Sequence, residues 1–170
     1  MIVDVTKIEG LVKPFAFRAG ADQIALDTPN YRIAGPVTVE GEIEKHIVSI
    51  KVRGNIGGNV TIDCTRCVQP VEHALSIDFD VEYLTEGRLG SEGEHEIGSA
   101  DLETDELQGN TLDLTQLARE QILLNIPEQF LCQDECKGLC EKCGGNRNLV
   151  DCRCGQDEID PRWAALKNLK

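Results

Sequence analysis

Cysteine placement constrains this chain more than any other feature: six of its eight cysteines fall in the 23 residues from Cys132 to Cys154. That stretch reads C-Q-D-E-C-K-G-L-C-E-K-C-G-G-N-R-N-L-V-D-C-R-C. Cys140-Glu-Lys-Cys143 followed by Gly144 and Gly145 has the form of a metal knuckle. The first thiolate opens a tight turn, the second closes it, and the glycines let backbone amides point at the sulfurs. Cys152 and Cys154 lie just beyond and supply two more thiolates, so Cys140, Cys143, Cys152 and Cys154 form a candidate tetrahedral zinc site. Four protein thiolates leave no open position for substrate, so such a zinc is structural.

Two other fates for these thiols compete with metal. Disulfides need an oxidising compartment, and Met1-Ile-Val-Asp-Val-Thr-Lys7 has neither the basic start nor the apolar core of a secretory signal. The expectation is a cytoplasmic protein whose thiols stay reduced. Redox catalysis is the second alternative, because two C-x-x-C pairs are present. Neither clearly opens a helix after a buried strand, the setting that lowers a reactive thiol's pKa.

The other two cysteines sit in Cys64-Thr-Arg-Cys67-Val-Gln-Pro70, a turn at the end of a strand-like run. Three readings stay open for it. It is half of a second metal site, with Cys64, Cys67, Cys132 and Cys136 as ligands; or a redox pair; or simply two small side chains in a tight turn. One or two zinc ions are therefore expected.

Charge narrows the choice of partner. The formal net charge is −13, and residues 1–130 carry all of it, with ten Lys/Arg against twenty-three Asp/Glu. No basic stripe offers itself to phosphates, so direct RNA binding is disfavoured and a basic protein is the better match. Solubility alone also accounts for acidity of this size. No apolar run approaches the length of a membrane span.

From Tyr31 onward the hydrophobic period is two. Val37, Val39 and Ile43 form one run; Val48, Ile50 and Val52 a second; Val60, Ile62 and Cys64 a third; Ile77, Phe79, Val81 and Tyr83 a fourth. With short polar or glycine joints at His46 and Gly54–Gly58, these read as an antiparallel meander. One or two short strands are expected between Ile2 and Phe17, and a brief helix over Ala21–Leu26. Acidic residues dominate 85–110, which lacks apolar periodicity and reads as a mobile loop. Asp113 can cap a helix over 113–126, with Gln116 completing a capping box and Leu114, Leu117, Ala118, Ile122 and Leu124 as its apolar stripe. Asp160-Pro161-Arg162 begins a last short helix bearing Trp163, Leu166 and Leu169. The expected fold class is α+β: a β-rich antiparallel sheet or partly closed barrel with one covering helix over 1–130, and a cysteine-rich zinc module with a terminal helix over 131–170.

Catalytic constellations are missing from the sequence. His46, His73 and His95 lie in unrelated settings, and no metalloprotease, nucleophile-elbow or phosphate-loop motif occurs. No catalytic residue is assigned.

Four blocks in order resemble one family: C-T-R-C-V-Q-P at 64–70, C-x-x-x-C-K-G-L-C-x-x-C-G-x-N-x-N at 132–148, C-x-C at 152–154, and D-P-R-W-A-A-L-K-N-L at 160–169. Together they resemble the YceD family of large ribosomal RNA subunit accumulation proteins. The resemblance implies a non-enzymatic accessory role in accumulating, processing or assembling large-subunit ribosomal RNA. Combined with the acidity, it points to a basic ribosomal protein or RNA-processing factor as the partner. A thiol-disulfide oxidoreductase using Cys64 and Cys67 is the alternative.

Overall fold

The computed structural model describes residues 1–84, 104–107 and 109–154. The expected terminal helix at 160–169 and most of the acidic stretch lie outside the described residues. The chain divides into two compact units: Met1–Ile62 with Glu72–Glu128, and Asp63–Val71 with Gln129–Lys170. The second unit takes in residues 63–71, which the sequence reading placed in the 1–130 domain.

Along the described chain run strands β1 (Ile2–Asp4), β2 (Val12–Ala19), β3 (Tyr31–Ile33), β4 (Val37–Lys45), β5 (Ser49–Asp63), β6 (Pro70–Leu84), β7 (Thr104–Glu106) and β8 (Thr111–Asp113), then helix α1 (Leu114–Asn125). The main sheet has the order β2-β4-β5-β6-β7, with β3 paired to the far end of β5. It is mostly antiparallel and curls into a half-barrel, as expected of the β-rich body. β1 and β8 form a separate two-stranded ribbon.

Period two explains the packing. Val37, Val39 and Ile43 of β4, Ile50, Val52, Ile56, Val60 and Ile62 of β5, and Leu75, Ile77, Phe79 and Tyr83 of β6 are all buried. The alternate positions turn outward and pair by charge, Arg53 with Glu42 and Lys51 with Asp80. Each buried Ile or Val contributes on the order of 2 kcal/mol, whereas an exposed ion pair contributes well under 1. Apolar burial holds this unit.

The joint expected at Gly54–Gly58 is not a joint. The second and third apolar runs belong to one 15-residue strand, β5. Gly54 lies opposite Gly41 of β4. A Cβ on either would sit 2.2 Å from a backbone oxygen of the other strand, so glycine here permits close approach of two strands.

Three further expectations change. Ala21–Leu26 is a single turn, with the Gln23 and Ile24 amides donating to Gly20 O at 3.0 and 3.1 Å. Thr28-Pro29-Asn30 leaves no room for a second turn, though Ile24 and Leu26 are buried. Within the supposed mobile loop, Thr104–Glu106 pairs in parallel with Glu82–Leu84, and buried Leu107 follows. In α1, Asp113 Oδ1 accepts the amides of Thr115 and Gln116, as a cap should. Gln116 does not return the bond; its Nε2 donates to Glu120 at 2.7 Å. Leu114, Leu117, Ala118 and Ile122 are buried, but Leu124 is 77% exposed and leaves the stripe. No described helix is long and apolar enough to cross a membrane.

Candidate metal centres

All eight cysteines are free thiols, and they gather into two groups of four. Cys64, Cys67, Cys132 and Cys136 make the inner group; Cys140, Cys143, Cys152 and Cys154 make the outer one. Within each group the four sulfurs all lie within 4.8 Å of one another.

The inner group begins where β5 ends. The Cys64 amide donates to Gln69 O and the Val68 amide to Cys64 O, both at 2.9 Å, closing a turn that presents two sulfurs. Val68 takes φ +59 to make that closure, a conformation that a β-branched residue rarely adopts. A second segment is stitched to this turn. Phe130 O accepts both the Thr65 amide (2.8 Å) and its hydroxyl (3.1 Å), and Leu139 N donates to Arg66 O at 3.1 Å. The Arg66 guanidinium donates to Cys136 O at 3.0 Å. These bonds bring Cys132 and Cys136 to Cys64 and Cys67 across some 65 to 72 residues of sequence.

Sulfur spacing tests the fit to a metal. Cys64 Sγ lies 3.7 Å from Cys136 Sγ, and Cys67 Sγ lies 3.5 Å from Cys132 Sγ. A zinc–sulfur bond of about 2.3 Å in a tetrahedron puts sulfurs about 3.8 Å apart. The group has the dimensions of a ligand set. Cys64, Cys67 and Cys136 are 2%, 5% and 2% exposed, with Leu131 and Cys132 packed against them.

Ionisation within the inner group is uneven. Burial is the largest influence on Cys64 and pushes it up, yet the amides of Cys67, Cys132 and Arg66 together bring it down to about 6. Cys136 is lowered first by the Asn148 side chain, whose Nδ2 donates to its sulfur at 3.3 Å. Burial raises Cys67 and, with the neighbouring thiols, raises Cys132 to about 12. The surroundings thus favour the thiolate at Cys64 and Cys136 and the thiol at Cys67 and Cys132.

The outer group is local. Gly144 N donates to Cys140 O and Cys140 N to Gly145 O, both at 2.8 Å, closing the knuckle expected from C-x-x-C-G-G. Cys140 is lowered to about 6, first by the Cys143 amide and then by that of Lys142. The glycines close the loop, and the donors to sulfur are other residues. Cys152 is raised to about 11, chiefly by the Cys140 thiol, and Cys154 is raised chiefly by the Cys143 thiol. Cys143 and Cys154 are exposed.

Both sets of positions singled out in the sequence therefore converge, and each group can hold one metal ion. The inner group does not suit thiol exchange well: Cys64 and Cys67 are buried, out of easy reach of a disulfide substrate. Sequence reasoning missed Arg66 and Asn148. The N-x-N of 146–148 was the available signal for the second of these.

Residues 52–170 match the family described as large ribosomal RNA subunit accumulation protein YceD. The chain belongs to the YceD family. It is 24% identical over 169 residues to a chloroplastic YCED homolog 1 of Arabidopsis thaliana, covering 87% of this chain and 53% of that protein. It is 25% identical over 142 residues to the uncharacterised protein YlbN of Bacillus subtilis, covering 81% and 76%. An uncharacterised Mycobacterium tuberculosis protein is 25% identical over 156 residues, covering 88% and 67%. This YceD-family chain spans about half the length of its Arabidopsis relative. No solved structure matches it.

Proposed function

We propose that this chain is a non-enzymatic accessory factor in the accumulation of large-subunit ribosomal RNA, with two structural zinc ions folding its cysteine-rich unit. The family match over residues 52–170 is the observation that carries the ribosomal part. Zinc is favoured because each group offers sulfur alone, in fours within 4.8 Å of one another, and the inner group's 3.7 and 3.5 Å spacings are near those of a tetrahedron. The ion's role at such a site is to hold the fold. Four thiolates close its coordination sphere and leave no position for a substrate.

A basic ribosomal protein or RNA-processing factor is the partner we propose. The net charge of −13 opposes contact with bare phosphates and favours a cationic protein surface. The cytoplasm, where thiols stay reduced and metal-competent, is the compartment we propose. Depletion of the protein in its host, followed by measurement of large- against small-subunit ribosomal RNA, tests the role. The expected result is a selective fall in the large-subunit species, restored by wild type; an unchanged ratio contradicts it. Affinity capture tests the partner: a basic protein that stays bound after ribonuclease treatment is expected, and recovery of protein-free RNA refutes the adaptor reading.

A further inference from the structure

Asn148 belongs to the loop that the outer group closes, between Cys143 and Cys152, yet its side chain reaches the inner group. Its Oδ1 accepts the Lys137 amide at 2.8 Å and Gln133 Nε2 at 3.2 Å. The Lys137 backbone N–H on that oxygen fixes the orientation of the amide, because a flipped side chain would set its NH2 against it. Nδ2 is thereby aimed at Cys136 Sγ, 3.3 Å away. An N–H donated to a thiolate stabilises the charge that a metal ligand must carry, so the bond matters most when a cation is bound.

The loop that carries Asn148 is held by hydrogen bonds and not by apolar burial. Asn146 Oδ1 accepts the Asn148 amide at 2.9 Å, and Asn146 O accepts the amides of Leu149 and Val150. Arg147 N donates to Gly138 O at 2.9 Å, and Leu139 bridges to Asn146. Leu149 and Val150 are 77% and 56% exposed, so little apolar burial anchors residues 144–151. Closure by the Cys140, Cys143, Cys152 and Cys154 ligands would add a further constraint on where Asn148 stands.

We propose that the outer four-sulfur site tunes the metal affinity of the inner one, with the Asn148 side-chain N–H as the link. The inference rests on the reading of both groups as metal sites. Asn148 is a positioning residue: it touches a ligand sulfur and no ion. Filling the outer site fixes the loop, the loop presents the donor, and the donor strengthens Cys136 as a ligand. By linkage, filling the inner site favours metal at the outer one by the same factor.

Full-length protein loaded with cadmium gives one cadmium NMR resonance per site, assigned by loss of one in Cys67→Ser. Competition of the zinc form against a chromophoric chelator gives the affinities. Asn148→Asp should weaken the inner site by about 10- to 100-fold, shift its resonance and leave the outer resonance in place. Asn148→Ala, which removes the donor without adding charge, should act in the same direction and serves if the aspartate variant does not fold. Cys140→Ser should weaken the inner site too, and Asn148→Ala added to it should cost little more. An inner affinity and resonance unchanged in Asn148→Ala overturn the coupling while leaving two metal sites standing. Full additivity of the two substitutions also overturns it. Wild-type protein that takes up neither zinc nor cadmium removes both the coupling and the zinc reading.

Discussion

The two units of this chain reach order by different physics. The β body buries Ile24, Val37, Val39, Ile43, Ile50, Val52, Ile56, Val60 and Ile62 almost completely, together with Leu114 and Ile122 from its helix. Among the described residues of the cysteine-rich unit, the buried side chains classed as hydrophobic are Cys64, Cys67 and Cys136. Among its described larger apolar residues, Val68, Leu139, Leu149 and Val150 are exposed, and Phe130 and Leu131 are half-buried. A segment whose described residues bury little besides sulfur needs a staple. Reduced thiols do not supply one, and a metal ion does. Hydrophobic pattern sets the fold of one unit, and on the proposed metal reading ligand geometry sets that of the other.

Metal removal is the widest way to separate the two. A structural zinc site is worth on the order of 10 kcal/mol of folding free energy. Chelation under reducing conditions should therefore abolish amide protection across 129–154 while leaving the β body's unfolding transition in place. Hydrogen exchange reads both at once. Loss of protection in both units together would break the comparison.

Single substitutions come next in size. Cys136→Ser should eliminate the inner metal and cost the cysteine-rich unit more than about 4 kcal/mol. Ile43→Ala in the body should cost about 2–5 kcal/mol by opening a cavity, with metal content unchanged. Metal-to-protein ratios beside thermal melts distinguish them; a metal loss in Ile43→Ala would show that the units are not independent in energy.

Smaller still is Gly138→Ala. Gly138 has φ +71, and a Cβ there would lie 3.1 Å from Arg66 O, within the bonds that join the two inner-group segments. A left-handed alanine costs about 1–2 kcal/mol, expected as faster metal release with the body's melting temperature unmoved.

pH sharpens the contrast last. Burial, then Glu120 and Asp105, raise Tyr83 in the body to about 12. Its folded pKa exceeds the unfolded value of about 10, so its contribution is intact below pH 10 and is lost as pH climbs through 12. Tyr83→Phe should remove that alkaline loss. Metal held by thiolates behaves in the opposite sense and is released as pH falls. A body that loses stability on acidification in step with metal release would contradict the division.

Legibility in the sequence followed the same line. Period-two runs gave the strands because each strand buries one face, and Asp113 gave the helix start because a carboxylate there satisfies two amides. Gly54 misled, since a glycine needed for close approach of β4 and β5 looks in sequence like one needed for a turn. Leu124 misled because spacing does not show where the apolar face ends. C-x-x-C-G-G and C-x-C made the outer group of four cysteines legible. The inner set was legible only as one of three readings, because its two halves meet through Thr65, Arg66 and Phe130 backbone bonds that no local pattern encodes. Asn148 stayed hidden for the same reason.

X-ray absorption at the zinc edge, on freshly purified and reduced protein whose metal content has been weighed, addresses the central claim most directly. Two zinc ions per chain, each with four sulfurs at about 2.3 Å and no nitrogen or oxygen neighbour, are expected. Metal-free protein whose residues 129–154 nonetheless stay protected from exchange would contradict the account.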